Sequence, residues 1–299
     1  MSPSRRLAIV TATLDVTRAT PCMQTWTRHA TVWPAVYGVQ QLCPGVQQLC
    51  PHDHVHDQWV QYQDHNWMHS YCTSTVLGVV PAFAIGVQKA LEDGAEVIAC
   101  LHDDLEILQP GWDEMVLDVF AKEPQVGLVG FGGGTGLGAW DIYRTPYNPM
   151  QLARQDFVSN MVDAEAHGRR STRVERVACL DGFSQIGRRE FWEGQVNPHA
   201  GITTPPTYQA EMLFSIMQGW GVTHHFYDGM LGCFAKRLGW EVLMLPVACR
   251  HYGGRTAVGD ARYAEWALTQ DPRGDGGFWD TAHRIGYEQF RDVLPIRTR

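Results

Sequence analysis

The stretch Ala95 to Asp118, AEVIACLHDDLEILQPGWDEMVLD, decides how the rest of the chain is read. Its apolar run Val97-Ile98-Ala99-Cys100-Leu101 has the length of a fully buried strand and ends at two adjacent carboxylates, Asp103 and Asp104. In an α/β sheet, ligands bind beyond the carboxyl ends of the strands, and a hard cation is the usual reason for two acids side by side there. Taken alone, the Asp-Asp pair reads more readily as a solvated acidic loop. The flanking segments decide between the two.

Upstream, Pro81 to Leu91 places Phe83, Val87, Ala90 and Leu91 at helical spacing, with Pro81 in the first turn and Gly94 as the stop. A helix feeding the Val97 strand, behind a half-buried strand Trp59 to Tyr62, predicts a parallel pair joined by a right-handed crossover. That earlier strand is expected to deliver Asp64 to its carboxyl end. Downstream, Pro110-Gly111 turns the chain into a helix over Trp112 to Ala121, and Val126 to Phe131 is the next strand. The N-terminal Leu7-Ala8-Ile9-Val10 strand opens into Thr11, Thr13 and Asp15, and a helix capped by Thr17 or Thr20 is expected to run to about Val36. Later strands end at Asp181 and at Arg250-His251-Tyr252. A helix over Gly229 to Leu238 follows Tyr227-Asp228, where Asp228 reads as a helix N-cap.

The 299 residues are 44% hydrophobic with a formal net charge of −8, enough for a sizeable core and opposed to general affinity for nucleic acid or anionic membrane. No apolar run approaches the ~20 residues that span a bilayer, and the N-terminus lacks a signal-peptide core, so a cytoplasmic protein is expected. The eight cysteines form no C-x-x-C pair. Gly38 to Pro44 reads GVQQLCP and is repeated at Gly45 to Pro51, a duplication expected to sit in a surface loop. Beside it, His52, His54 and His56 form a variable loop suited to adventitious metal. The glycine-rich FGGGTGLGA after Phe131 fails as a dinucleotide fingerprint, because Pro146 and Pro149 prevent the required helix, and reads as a flexible active-site loop or a turn. Arg169, Arg170, Arg173 and Arg176 form a basic cluster that reads as a solvated face or a phosphate clamp.

The order of these parts resembles the GT-A-fold glycosyltransferases, in particular the inverting family 2 type. The likeness rests on Thr11-Ala12-Thr13, Asp64-His-Asn66, the helix leading into AEVIACLHDDLEI, Gly111-Trp112, the Asp181 to Arg189 segment, Tyr227-Asp228 before KRLGWEV, and RHYGG. It implies an α/β fold with a mostly parallel central sheet flanked by helices, over residues 1–256, and a helical or looped extension over 257–299 packed on it. It further implies transfer of a sugar from a nucleotide-sugar donor, a UDP-sugar first, to an acceptor hydroxyl with the help of Mn2+ or Mg2+. Asp104 and His251 map to the metal ligands. Asp103 maps to a donor contact, and Thr11, Thr13, Asp15, Asp64 and Arg189 to the donor site. Asp228 maps to the catalytic base, with Asp181 as the second candidate.

The chain departs from the pattern at His102, which stands in place of the first acid of the D-x-D triplet, and at Tyr227, which replaces a glutamate. The acceptor is a saccharide, a small molecule or, as in bacteriophage enzymes, a hydroxymethylated pyrimidine in DNA. A non-catalytic sugar- or nucleotide-binding protein is the reading from another class. Trp112, Trp192 and Trp220 are candidates for stacking on sugar or for core.

Overall fold

The computed structural model describes residues 4–14, 16–32, 34–41, 56–63, 66–73, 76–138, 157–162, 168–203, 206, 211–253, 261–270 and 277–298. From the N-terminus, β1 (Ser4–Thr13) leads to α1 (Val16–Arg28), β2 (Pro34–Gln40), β3 (His56–Gln63), β4 (Asn66–Cys72), α2 (Val79–Glu92) and β5 (Val97–Leu101). There follow β6 (Leu105–Ile107), α3 (Trp112–Lys122), β7 (Val126–Gly130), β8 (Gly132–Gly134), β9 (Gly136–Leu137), β10 (Phe157–Ser159), β11 (Arg169–Arg170), β12 (Glu175–Arg176), β13 (Cys179–Leu180), β14 (Ser184–Arg188) and α4 (Arg189–Trp192). The chain continues through α5 (Leu213–Gly219), α6 (Tyr227–Leu238), β15 (Glu241–Met244), β16 (Cys249–His251), α7 (Ala261–Gln270), α8 (Gly277–Phe290) and β17 (Ile296–Arg297).

Nine strands form the central sheet in the order β12-β15-β7-β14-β5-β1-β2-β4-β3. The β4-β2-β1-β5 run is parallel throughout, as is β7 with β15. Strand β14 lies between β5 and β7 and runs antiparallel to both, and the two edge strands β3 and β12 also run against their neighbours. The sheet is therefore mixed, with four of its eight strand pairings parallel and four antiparallel, in an α/β fold with helices on both faces.

Burial on both faces explains the continuous apolar strands. Successive side chains of a strand point to opposite faces. Leu7 and Ile9 of β1 and Val97, Ala99 and Leu101 of β5 accordingly pack with Met23 and Trp26 of α1 and with Val116 and Phe120 of α3. Ala8, Val10, Ile98 and Cys100 face the other way, onto Phe83 and Val87 of α2, Phe214 of α5 and Phe234 of α6. Cysteines 22, 100, 179, 233 and 249 are buried and pack as small hydrophobes. No helix among the described residues is long and apolar enough to cross a membrane.

Several expectations change here. Residues 34–40 form the central strand β2 rather than the end of a helix, because α1 stops at Arg28 and Pro34 begins a run that pairs with both β1 and β4. The first GVQQLCP copy thus starts inside the sheet, with Gly38, Val39 and Gln40 opposite Thr11, Ala12 and Thr13; the second copy, His52 and His54 lie outside the described residues. The strand preceding Asp64 is the antiparallel edge β3, whose carboxyl end lies at the opposite end of the sheet from those of β1 and β5. The strand between them and α2, β4, was not legible.

The glycine-rich segment is neither a flexible loop nor a simple turn. It holds β8, buried between β10 and β13. A Cβ on Gly132 would meet Phe157 at 2.8 Å, and one on Gly133 would meet the Cys179 carbonyl oxygen at 2.5 Å, so the glycines permit close strand packing. Gly111, at φ 72°, is the N-cap of α3. It starts the helix so that Trp112 is buried and donates to the Trp26 carbonyl, while the Asp113 carboxylate accepts from the Thr31 and Val32 amides.

Candidate active site

A cavity of about 310 Å³ opens at the carboxyl ends of β1 and β5, a volume at the lower end of the range for small-molecule sites. Ala12, Thr13 and Leu14 enter it from β1 and His102, Asp103 and Asp104 from the turn after β5. Asp181 and Gly182 come from the segment before β14, and His224, His225, Phe226, Tyr227 and Asp228 from the start of α6. Gln41 and Tyr263 complete part of the rim.

Two antiparallel pairings assemble these groups. Strand β14 runs back along β5 with Ser184 opposite Leu101, and His102 donates its amide to the Phe183 carbonyl, which sets Asp181-Gly182-Phe183 beside the His102 turn. Strand β16 pairs with β6, His251 opposite Leu105, and the Tyr252 amide donates to the Asp104 carbonyl. His251 Nε2 consequently stands 3.1 Å from Asp104 Oδ1. One donor atom from each of His102, Asp104 and His251 falls within 4.8 Å of the others. Phe183 backs the His251 ring, with centroids 4.8 Å apart.

The electrostatics separate these groups. Burial alone would raise the Asp104 carboxyl, but the His251 hydrogen bond and charge hold it below the usual carboxylate range. Burial, and then the neighbouring His251, lower His102 to about 3, so its imidazole is neutral at pH 7. Asp228 behaves in the opposite sense to Asp104. Burial, reinforced by the charge of Asp181, raises it to about 7, while backbone amides of Gly229 and Gly182 act the other way. A pair of acids whose environments drive them apart is the pattern of an acid–base site.

Two imidazoles and a carboxylate within one coordination distance are the donor types that bind a divalent cation once the imidazole protons are released. Four carboxylates, Asp103, Asp104, Asp181 and Asp228, line the cavity, and no Lys or Arg is among its described lining residues. Such an acidic cavity accepts a polyanion only with a cation in place. The residues therefore fit a bound metal ion.

Of the residues singled out from sequence, the structure brings Asp103, Asp104, Asp181, Asp228, Thr13 and His251 together. Thr11 is fully buried beneath the cavity, with its hydroxyl lacking a hydrogen-bond partner. Asp15 and Asp64 lie outside the described residues. Arg189 is not at the site. Its amide bonds to Glu96 and its guanidinium to the Leu91 carbonyl and Glu193, at the amino end of β5, because antiparallel β14 carries its C-terminal residues away from the cavity.

Asp228 does not cap α6; Phe226 holds that position at φ 61°, a left-handed conformation rare for a bulky side chain, and Asp228 sits in the first turn. Three of the four clustered arginines pair with an acid or an amide, Arg169 with Glu175, Arg170 with Asn160 and Arg176 with Glu241. Trp112 and Trp192 are fully buried, and Trp220 stacks on Phe234, so none of them lines the cavity.

Sequence reasoning missed Gln41, whose buried Oε1 accepts from the Leu77 and Gly78 amides, because it falls inside the duplicated segment. It also missed the wall formed by His224, His225, Phe226 and Tyr263. Burial lowers His224 to about 4, and burial together with His224 and His283 lowers His225 to about 3, so both are neutral at pH 7. His224 Nε2 is 2.9 Å from the Tyr263 hydroxyl.

No protein-family model matches the chain, and no curated protein matches its sequence. Among solved structures, the chain is similar to the mannosyltransferase PcManGT from Pyrobaculum calidifontis, determined in complex with GDP-Man and Mn2+. That similarity covers 96% of this chain and 72% of the other, at 13% identity and a TM-score of 0.43. A second similar structure is that of A197 from STIV, covering 83% of this chain and 85% of the other at 10% identity and a TM-score of 0.39.

Proposed function

We propose that the protein is a metal-dependent glycosyltransferase of the GT-A type, moving a sugar from a nucleotide-sugar donor to an acceptor hydroxyl with inversion. The observation that carries this reading is the convergence on one cavity of the Asp104–His251 pair and the Asp228 carboxylate. The first suits a cation and the second a proton acceptor.

A divalent ion, when bound, neutralises charge that develops on the departing nucleoside diphosphate. Asp104 and His251 would hold it. Asp103 and Thr13, which line the cavity, would contact the donor, with Gln41 bracing the wall through the Leu77 and Gly78 amides. Asp228 takes the acceptor's hydroxyl proton as that oxygen bonds to the anomeric carbon and the bond to the diphosphate breaks. Its affinity for protons, near neutrality, matches a base that must be empty before attack and filled after it. Asp181 raises that affinity by its charge and is the positioning carboxylate. The neutral His224, His225, Phe226 and Tyr263 wall offers flat, weakly polar surface suited to a sugar face in the acceptor.

A panel of UDP-, GDP- and dTDP-sugars with Mn2+, scored for thermal shift and nucleotide release, tests the reading. Release that depends on the metal and on Asp228 supports it, and a flat response removes it. Binding without turnover, unaltered in Asp228→Asn, would instead identify a sugar- or nucleotide-binding protein.

A further inference from the structure

The proposed sugar transfer leaves one contact of the cavity without a role. His102 Nε2 stands 2.8 Å from the Tyr227 hydroxyl, and that hydroxyl stands 2.9 Å from the Gly182 carbonyl oxygen. A phenol has one proton to donate, and a carbonyl oxygen can only accept. The Tyr227 proton therefore goes to Gly182. The bond to His102 then forms only if Nε2 carries the imidazole proton, which in a neutral ring leaves the lone pair on Nδ1. Gly182 is part of this relay through its size as well as its carbonyl. A Cβ there would lie 2.6 Å from the Tyr227 hydroxyl and 3.5 Å from His102 Nε2.

We propose that His102 ligates the divalent cation through Nδ1 together with Asp104 and His251, that Tyr227 is the positioning residue holding this tautomer, and that the resulting set selects a first-row transition ion over Mg2+. This rests on the reading of the cavity as a metal-dependent site. One ring nitrogen of each histidine and a carboxylate oxygen of Asp104 lie within 4.8 Å of one another, and the commitment of His102 Nε2 to Tyr227 leaves Nδ1 as the nitrogen with a lone pair for the ion. A histidine that binds metal through one nitrogen is oriented by the hydrogen bond its other nitrogen donates, and here the acceptor is a buried phenol anchored to a backbone carbonyl. Two imidazoles and one carboxylate favour first-row ions that accept nitrogen ligands, with Co2+ above the harder Mn2+ in affinity, whereas Mg2+ holds to oxygen ligands and keeps several waters. The replacement of an acid by His102 is thus a change of metal preference rather than the loss of a site.

The test uses the full chain stripped with EDTA and no nucleotide, titrated with Co2+ followed by visible absorption, with Mn2+ followed by the resonance of the free ion, and with Mg2+ as competitor. One equivalent of Co2+ or Mn2+ is expected to bind, with Mg2+ competing only at ~100-fold higher concentration or above. His102→Gln keeps an amide N–H for Tyr227 but removes Nδ1, and Tyr227→Phe removes the relay; each is expected to weaken Co2+ at least ~10-fold with the fold intact by circular dichroism. His102→Asp is expected to bring the Mg2+ and Co2+ affinities toward each other, and it decides the matter should the glutamine variant fail to fold. Wild-type Co2+ binding by folded His102→Gln, or Mg2+ competing at equal concentration, overturns the proposal. Because no donor is present, failure of sugar transfer leaves this result standing. Sugar transfer that proceeds equally with Mg2+ and without His102 sinks this inference alone.

Discussion

Asp104 Oδ1 and His251 Nε2 stand 3.1 Å apart at the point where β6 and β16 pair, so a carboxylate from the middle of the chain meets an imidazole from near its end. Neither carries the site alone. Asp104→Ala is expected to remove metal-dependent nucleotide release by ~100-fold or more, since a bound cation contributes several kcal/mol at the transition state. EDTA should reproduce the loss in the wild type, and added Mn2+ should reverse it there but not in the variant. Release assayed with and without chelator measures both.

Asp228→Asn separates catalysis from stability. Turnover is expected to fall by ~10²- to 10⁴-fold, the usual contribution of a general base. In the wild type, kcat/KM should rise with pH to a plateau above an apparent pKa of about 7, because the base works only when deprotonated.

The same carboxyl has a folded pKa raised above its ordinary 3.8, so the folded state binds the proton more tightly than the unfolded one. Its contribution to stability is complete below the ordinary value and is lost as pH rises through about 7. Asn, which carries no charge, escapes this loss. Asp228→Asn should therefore melt at the same temperature as wild type or higher at pH 8, read by calorimetry across pH 4 to 8; a lower melting temperature at pH 8 contradicts the raised pKa.

Gly182→Ala places a methyl 2.6 Å from the Tyr227 hydroxyl and must displace it. Overpacking of this kind costs about 1–3 kcal/mol, visible as a lower denaturation midpoint. The variant should also weaken Co2+ as Tyr227→Phe does, a loss that general destabilisation does not produce at temperatures where the fold is intact.

Arg189→Ala should leave nucleotide-sugar binding and turnover at wild-type values. Its guanidinium joins the Leu91 carbonyl and Glu193 at the far end of β5, so only a change in melting temperature is expected. A donor KM raised several-fold would show that the end of the molecule bearing α4 reaches the ligand.

The legible parts share a physical cause. The VIACL run coincides with β5, the Phe83–Val87–Ala90–Leu91 spacing with α2, and the Gly111-Trp112 turn with the start of α3. In each, apolar periodicity and a glycine or proline stop act within a few residues, and burial on both faces of the sheet leaves no other solution. The failures share one as well. Pro34 to Val36 reads as the end of a helix, Gly38 to Gln40 as loop, and NWMHSYC as no strand, because the β identity of these segments comes from pairing with β1 and β3 and with each other rather than from their own pattern. FGGG is mobile-looking in sequence and buried in the structure, since only neighbours Phe157 and Cys179 reveal that glycine is there for want of room.

By itself the sequence determined that this is an α/β protein with acids at the carboxyl ends of its strands, and it singled out Asp104, His251, Asp181 and Asp228. Asp104 and Asp181 follow from strand length and charge placed where a buried run stops, whereas His251 and Asp228 were singled out by the resemblance to the GT-A glycosyltransferases. Only the tertiary structure decided that β14 runs backwards, which carries Arg189 away from the cavity and Gly182 into it. It alone set His102 against Tyr227, and separated two aspartates of one cavity by their surroundings, Asp104 held below the usual carboxylate range and Asp228 raised to about 7. The direction of a strand and the solvation of a carboxylate depend on what packs against them, and in this chain those neighbours come from segments far away in sequence.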